Sequence, residues 1–321
     1  MDQPFSPRRG TGITLAFICL IVLGLMPIIA IGRPAGSSAL SFALWLSVWQ
    51  LLFSLPLLAL EWHSGEHGLF GDRLPRSERW RVLGVTLFTG GLFSLSTWMY
   101  VLAFEKAGAV NAAIALQAYP LFAAALEAVF LRRRKNALEL GFMLLVVVAL
   151  YYLATQGTWQ LAGLSSWFLM ALAVPLVWSV AHIIVRQALL STPITPSQVT
   201  TSRLIVSTIF LLGLAVVLEG FEAIPLLGLD FQFQIFAVAM GLAYYVELIV
   251  WFYAVRHIDV SVASSITVPA PVVTMVLSAL FFNETITGLQ IIVLGLVILG
   301  LTGLLYAGSR AHIATPYEAG Q

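Results

Sequence analysis

The sequence predicts an all-α membrane protein, with ten transmembrane helices set out as two inverted five-helix repeats. Three observations carry that expectation. Sixty per cent of the residues are apolar and only 10% are charged, where soluble domains sit near about 45–50% and 25%. Apolar stretches, each near the roughly 20 residues a helix needs to cross hydrocarbon, follow one another with short connections. The second half of the chain also repeats the first at a nearly fixed offset.

So much apolar surface has no core large enough to hide in, and lipid must be its solvent. In lipid every backbone N–H and C=O must be satisfied within the segment, which makes each apolar run a helix. Residues 1–12 form a basic tail with Arg8 and Arg9. The run after it is too long for a cleavable leader and lacks a small-residue cleavage site, so it reads as the first span. The first repeat, 13–155, holds spans Ile13–Ile31, Ser38–Leu60, Trp80–Phe104, Gly108–Leu131 and Ala137–Thr155. The second, 164–307, holds Leu164–Gln187, Pro196–Leu218, Phe231–Val255, Val260–Phe282 and Ile286–Ala307, before a tail over 308–321. The longest connection, Glu61 to Arg79, has no room for an inserted soluble domain.

Basic residues flank the cytoplasmic ends of spans. With the N-terminus inside, 13 of the 16 lysines and arginines lie in or at the ends of cytoplasmic segments, only Arg33 and Lys106 fall outside, and Arg203 lies within a helix. Both termini are thus expected in the cytoplasm. The Arg132–Lys135 run locks that topology and attracts anionic lipid.

An offset of 151 lays Pro120 on Pro271, Ala112 on Ala263, Phe130 on Phe281, Val146 on Val297 and Leu150 on Leu301. Nearer the start, an offset of 153 lays Arg33 on Arg186 and Gln50 on Arg203. Five helices per repeat is an odd number, so the halves thread the bilayer in opposite senses. Inverted repeats of this kind are the architecture of secondary transporters, with the site near the midplane where discontinuous helices meet.

The stretch Tyr253-Ala254-Val255 to Pro271, then Leu280-Phe281-Phe282-Asn283-Glu284-Thr285-Ile286-Thr287, resembles the EamA-type ten-helix members of the drug/metabolite transporter superfamily. Trp178-Ser179, Val185-Arg186 and Arg203 are similar to further landmarks of that family, and the resemblance covers essentially the whole chain. The first half departs from the pattern, with Arg133 in place of Glu284 and Gln50 in place of Arg203, so an asymmetric polar site is expected. The resemblance implies a small-molecule carrier of the bacterial inner membrane, often an exporter of amino acids or related metabolites. It also implies a central cavity lined by the first, third, fourth, sixth, eighth and ninth spans.

An ionisable group at a helix centre costs about 2.5–3.5 kcal/mol on insertion scales, so it faces a cavity or a partner. Glu247 lies in the eighth span roughly 12 Å from its cytoplasmic end, and Arg203 lies about as deep in the seventh. Either they contact a charged substrate or a coupling proton, or they form a permanent ion pair between helices. Tyr244, Glu247 and Trp251 fall on one helical face, a wall suited to a zwitterion whose ammonium meets the carboxylate and the rings. Trp98 extends that wall or anchors its helix at the interface. His182 reads as an inter-helix hydrogen-bonding imidazole or as a pH-responsive group. Gln117, Tyr119 and Pro120 sit near mid-depth in the fourth span, where the proline strips the carbonyl of residue 116 of its donor and bends the helix. In the ninth span Ser264 shares a face with Ser261 and lies near Pro269 and Pro271, which together break the helix. Its serines either line the site or serve as small packing residues.

A net charge of +1 argues against a nucleic-acid partner. A single cysteine, Cys19, excludes an internal disulfide; of the five scattered histidines, His63 and His67 share a loop at helical spacing and read as solvated loop residues rather than metal ligands. No Walker-type glycine loop or cofactor motif is present, so drive comes from a proton or from the substrate's own gradient. An intramembrane enzyme would need a clustered acid, base or nucleophile at depth, and the spans hold none. The expected partners are therefore a small-molecule substrate and membrane lipids, with the chain acting as a monomer or homodimer. Competing readings are an uptake carrier, a scaffold, or a lipid scramblase on the same fold.

Overall fold

The structure, a computed structural model, describes residues 9–64, 75–130, 136–161, 164–191, 195–221, 228–258, 263 and 266–314. The described residues are almost entirely helical. The helices are α1 (Arg9–Ile31), α2 (Ala39–His63), α3 (Arg76–Ala107), α4 (Ala109–Leu116), α5 (Tyr119–Phe130) and α6 (Ala137–Ala154). Then come α7 (Ser166–Ser191), α8 (Pro196–Glu219), α9 (Phe231–His257), α10 (Ala270–Phe282) and α11 (Gly288–Ala314). Among the described residues nine stretches are long and apolar enough to cross a membrane, with α4 and α5 counted together, and α10 is a shorter apolar helix. The multi-pass expectation therefore holds. Ser261, Ser264, Ser265 and the Arg132–Lys135 run lie outside the described residues.

The chain divides into two compact units, and each draws on both sequence repeats. The first gathers Met1–Ile28, Ala109–Leu169 and Glu247–Gln321; the second gathers Ile29–Gly108 and Met170–Val246.

In the first unit α6 packs along α11, and α10 packs on α4. α6 buries Val146, Ala149, Leu150 and Leu153 on one stripe, while Leu140, Leu144 and Val147 stay exposed for lipid. The close approach comes from α11: a Cβ at Gly300 would stand 2.6 Å from a methyl of Val146, and one at Gly303 would stand 2.3 Å from the Phe142 ring. Small residues at such positions bring helix backbones together where no hydrophobic effect drives association. Asn136, just before α6, donates its Nδ2 to the carbonyl of Ala307 near the end of α11 over 3.5 Å. The two helices therefore run antiparallel.

In the second unit α8 packs against α2 and α3. The end of α2 meets the start of α8, because Glu61 accepts hydrogen bonds from Thr195 Oγ1 at 2.8 Å and from Ser197 Oγ. The start of α2 meets the end of α8, where Ser38 and Ser41 donate their hydroxyls to Glu219. This pair is antiparallel too. α2 and α8 are each the second span of a repeat, and α6 and α11 each the fifth. Two pairs of equivalent helices facing in opposite directions are what an inverted duplication produces.

Candidate functional site

The fourth span is broken rather than bent. α4 ends at Leu116, residues Gln117 and Ala118 turn, and α5 restarts at Tyr119. The amides of Gln117 and Ala118 donate to the carbonyls three residues back, at 3.2 and 3.0 Å, the tightened pattern of a helix end. Pro120, second in α5, has no N–H to give the Leu116 carbonyl. The earlier expectation of a continuous, bent helix is corrected here. Loss of one donor would bend a helix, but the i→i−3 turn beside it ends the ladder.

The ninth span breaks at the matching place. Val268 and Pro269 turn, α10 starts at Ala270, and Pro271 is its second residue. Each of these positions lies 151 beyond its counterpart. Both breaks belong to the first unit. α10 buries Ala270, Pro271, Thr274, Met275 and Ser278 on one stripe, and Thr274 Oγ1 donates to the Gly24 carbonyl of α1 at 2.9 Å. α4 is tied to α11 by Gln290 Nε2 donating to Asn111 Oδ1 at 2.9 Å. Discontinuous helices place backbone dipole ends and half-satisfied carbonyls at membrane depth, which is tolerated only against protein or a watery cavity. Gln117 adds a side-chain amide to the turn, and Tyr119 opens α5.

Tyr244, Glu247 and Trp251 all lie within α9, but the two ends of that stretch have different company. Trp251 packs beside Ala16, Ala254, Ile258 and Ala263 in an apolar cluster of the first unit. The buried thiol of Cys19 on α1 donates to the backbone carbonyl of Glu247 at 3.7 Å. Tyr244 belongs to the second unit and meets the ring of Tyr100 edge-on, with centroids 5.4 Å apart. Tyr100 also contacts Trp178 at 5.6 Å and Phe104 at 4.5 Å. This aromatic cluster joins α3, α7 and α9, and geometry of that kind adds to burial.

Arg203 and His182 share one ring. The Arg203 guanidinium carbon lies 4.2 Å from the centroid of Phe93, and the His182 imidazole meets the same ring edge-on at 5.2 Å. An aromatic face is one of few surfaces inside a bilayer that attracts a cation. Sequence reasoning did not single out Phe93, because one phenylalanine among 20 carries no signal. Arg203 lies in the second unit and Glu247 in the first.

Trp98 lines an open vestibule of about 780 Å³ at the ends of α2, α3 and α8. Arg33 sits there, nearly buried, donating to the Ala30 carbonyl at 2.7 Å and to the Glu105 carboxylate. Lys106 Nζ approaches the same carboxylate at 2.7 Å. Burial lowers the Arg33 pKa from its ordinary value, and the Glu105 charge opposes that shift. Among the described residues no group of three or more histidines, cysteines, aspartates or glutamates is placed to hold a metal.

Comparison with known proteins agrees with the internal duplication. No curated protein matches the sequence. Of 28 solved chains that match, one crystal structure aligns over 93% of this chain and 99% of its own, with a TM-score of 0.60 at 18% identity. At that identity the likeness concerns the fold alone. Residues 10–155 and, separately, 165–306 match the EamA-like transporter family. Those two matches fall on the two repeats and take in the helix breaks, so the chain belongs to the EamA-like transporter family and is a multi-pass membrane transporter of small molecules.

Proposed function

We propose that the protein is a secondary carrier of a bacterial inner membrane that exports a small, partly apolar metabolite such as an amino acid, by alternating access. The observation that carries this reading is the pair of helix breaks at Gln117–Ala118 and Val268–Pro269, set at equivalent positions of the two repeats. Broken helices at matching repeat positions are the sequence-level pointer to a transport site. Glu247 supplies the carboxylate for a substrate ammonium group or for a coupling proton. Gln117, Tyr119, Tyr244, Trp251, His182 and Ser264 supply polar and aromatic contacts. Pro120, Pro269 and Pro271 hold the breaks, and Arg203 has a structural or gating role in α8. The excess of basic residues on one side supports termini in the cytoplasm.

Purified protein in liposomes, loaded with a panel of unlabelled amino acids, tests this by counterflow of the radiolabelled compounds. Wild type should exchange at least one of them, and Glu247→Gln should lose about 90% or more of that flux while inserting normally. Full flux by Glu247→Gln removes that carboxylate from the site. Movement of labelled phospholipid between leaflets, with no amino-acid flux, replaces the carrier by a scramblase.

A further inference from the structure

The vestibule at the ends of α2, α3 and α8 has two poles of opposite charge. At one, Arg33 and Lys106 flank the single carboxylate of Glu105, leaving an excess of one positive charge. Arg33 is spent inside the protein, with its side chain 6% exposed, whereas Lys106 remains 42% exposed and faces water. At the other pole Glu219 accepts from the hydroxyls of Ser38 and Ser41, and among the described residues no cation pairs with it. Hydroxyl donors orient a carboxylate without neutralising it, so its charge remains available to a ligand. Trp98 and Leu102 add apolar side chains to the lining. The volume of about 780 Å³ lies in the ordinary range for a small-molecule pocket.

We infer that this vestibule is a docking site for a small zwitterion with an apolar portion, its ammonium group directed to Glu219 and its carboxylate to Lys106. Resting on the carrier reading and its topology, the site faces the outside and holds the exported solute as it leaves. A cation alone is repelled by the Lys106 pole, and an anion alone by Glu219. A zwitterion satisfies both, and opposed poles select it by excluding the singly charged analogues. The wide mouth makes the site one of low affinity and quick release, as an exit station requires.

The fold contains its own control. Glu61 makes the same contact with Thr195 and Ser197 at the opposite end of the α2–α8 pair, away from the vestibule. A purely structural role for Glu219 would be shared by Glu61; a ligand-binding role would not.

The test uses the full chain in intact cells, with Cys19→Ser removing the native thiol and Ala35→Cys placing one on the vestibule wall. A membrane-impermeant methanethiosulfonate labels that thiol, and protection is measured with L-leucine, leucinamide and 4-methylpentanoate. L-leucine should slow labelling at millimolar concentration, and the singly charged analogues should protect about tenfold less well. Glu219→Gln should weaken protection by L-leucine about tenfold or more and leave 4-methylpentanoate unaffected or improved. Lys106→Gln should weaken L-leucine and spare leucinamide. Glu61→Gln should leave all three unshifted, and protection should persist with Glu247→Gln.

If Glu219→Gln does not insert, Lys106→Gln and Glu219→Asp carry the same comparison. No labelling from outside, no protection by L-leucine, equal protection by all three probes, or equal shifts in Glu61→Gln and Glu219→Gln would each overturn the inference. Counterflow with no protection leaves the carrier standing and removes the vestibule site. Charge-selective protection with no counterflow does the reverse.

Discussion

Glu61 and Glu219 are reciprocal partners: each ends one helix of the α2–α8 pair and grips the hydroxyls that open the other. Ser38 and Thr195 are the two N-caps, so each carboxylate lies beside a helix N-terminus, where partial positive charge from unsatisfied amides favours it. Two such clasps at opposite ends fix both register and antiparallel sense. Glu61→Gln and Glu219→Gln should each cost about 1–2 kcal/mol. The clasps are separated by the length of a span, so the double variant should sum the two losses. Thermal unfolding in detergent measures this. Single variants that melt like wild type would show the clasps to be incidental.

Gly24 of α1 admits α10. A Cβ there would lie 2.4 Å from Val273 Cβ and 2.8 Å from the Ala270 carbonyl oxygen, and neither neighbour is a flexible side-chain tip. Gly24→Ala should therefore destabilise the protein by about 1–3 kcal/mol through overpacking. Val273→Ala in the same chain should restore little of the loss, because the Cβ at 2.4 Å and the Ala270 carbonyl oxygen at 2.8 Å both remain. An unchanged melting temperature in Gly24→Ala alone would mean that α1 and α10 are not held this closely.

Phe93 gives the Arg203 charge a ring to lie on inside the membrane. Phe93→Leu preserves bulk and removes the quadrupole, so the expected loss is about 1 kcal/mol. Arg203→Ala should cost at least as much. On the ion-pair reading of the sequence, Arg203→Ala should misfold or lose stability, because a charge left unpaired in a dry interior is expensive. An Arg203→Ala protein that is stable but altered in substrate preference would retire the ion-pair reading and assign Arg203 to recognition.

Much of this architecture is legible in residue order. The offset of 151 was read from prolines and alanines, yet it also lays Asn136 on Thr287 and Glu139 on Gln290. Both pairs form capping boxes: Asn136 Oδ1 accepts from the Glu139 amide at 2.7 Å, and Thr287 Oγ1 accepts from the Gln290 amide at 3.2 Å. α6 and α11 accordingly begin one offset apart, at Ala137 and Gly288. The break in the ninth span was legible in the same way, since Pro269 and Pro271 both lack an N–H; at Pro120 the sequence indicates a bend, which the turn over Gln117 and Ala118 makes a break. Helix termini and kinks follow local chemistry, and local chemistry is written in sequence.

Side-chain partnerships are less legible. Phe93 beneath Arg203, Tyr100 against Tyr244, and Gln290 on Asn111 depend on which helix faces share a unit. In an apolar chain nearly every face looks alike, so periodicity does not reveal them. The clasps were recoverable: Ser38 and Thr195, and Glu61 and Glu219, are matched across the repeats at offsets of 157 and 158. An alignment fixed on the offset of 153 passes over them. Insertions of a few residues between the first and second spans hid a symmetry that hydrogen bonds make plain.

The interleaving of the two compact units has a bearing on how the chain is made. α6 leaves the ribosome with its closest neighbour, α11, still more than a hundred residues from synthesis, and α2 waits similarly for α8. The early helices must stay in the bilayer with their glycine-facing grooves and clasp carboxylates unmatched until the late ones arrive. Biogenesis is thus a matter of delayed closure: a truncated product stopping after the first repeat would be left as half of two different bundles, a natural target for membrane quality control.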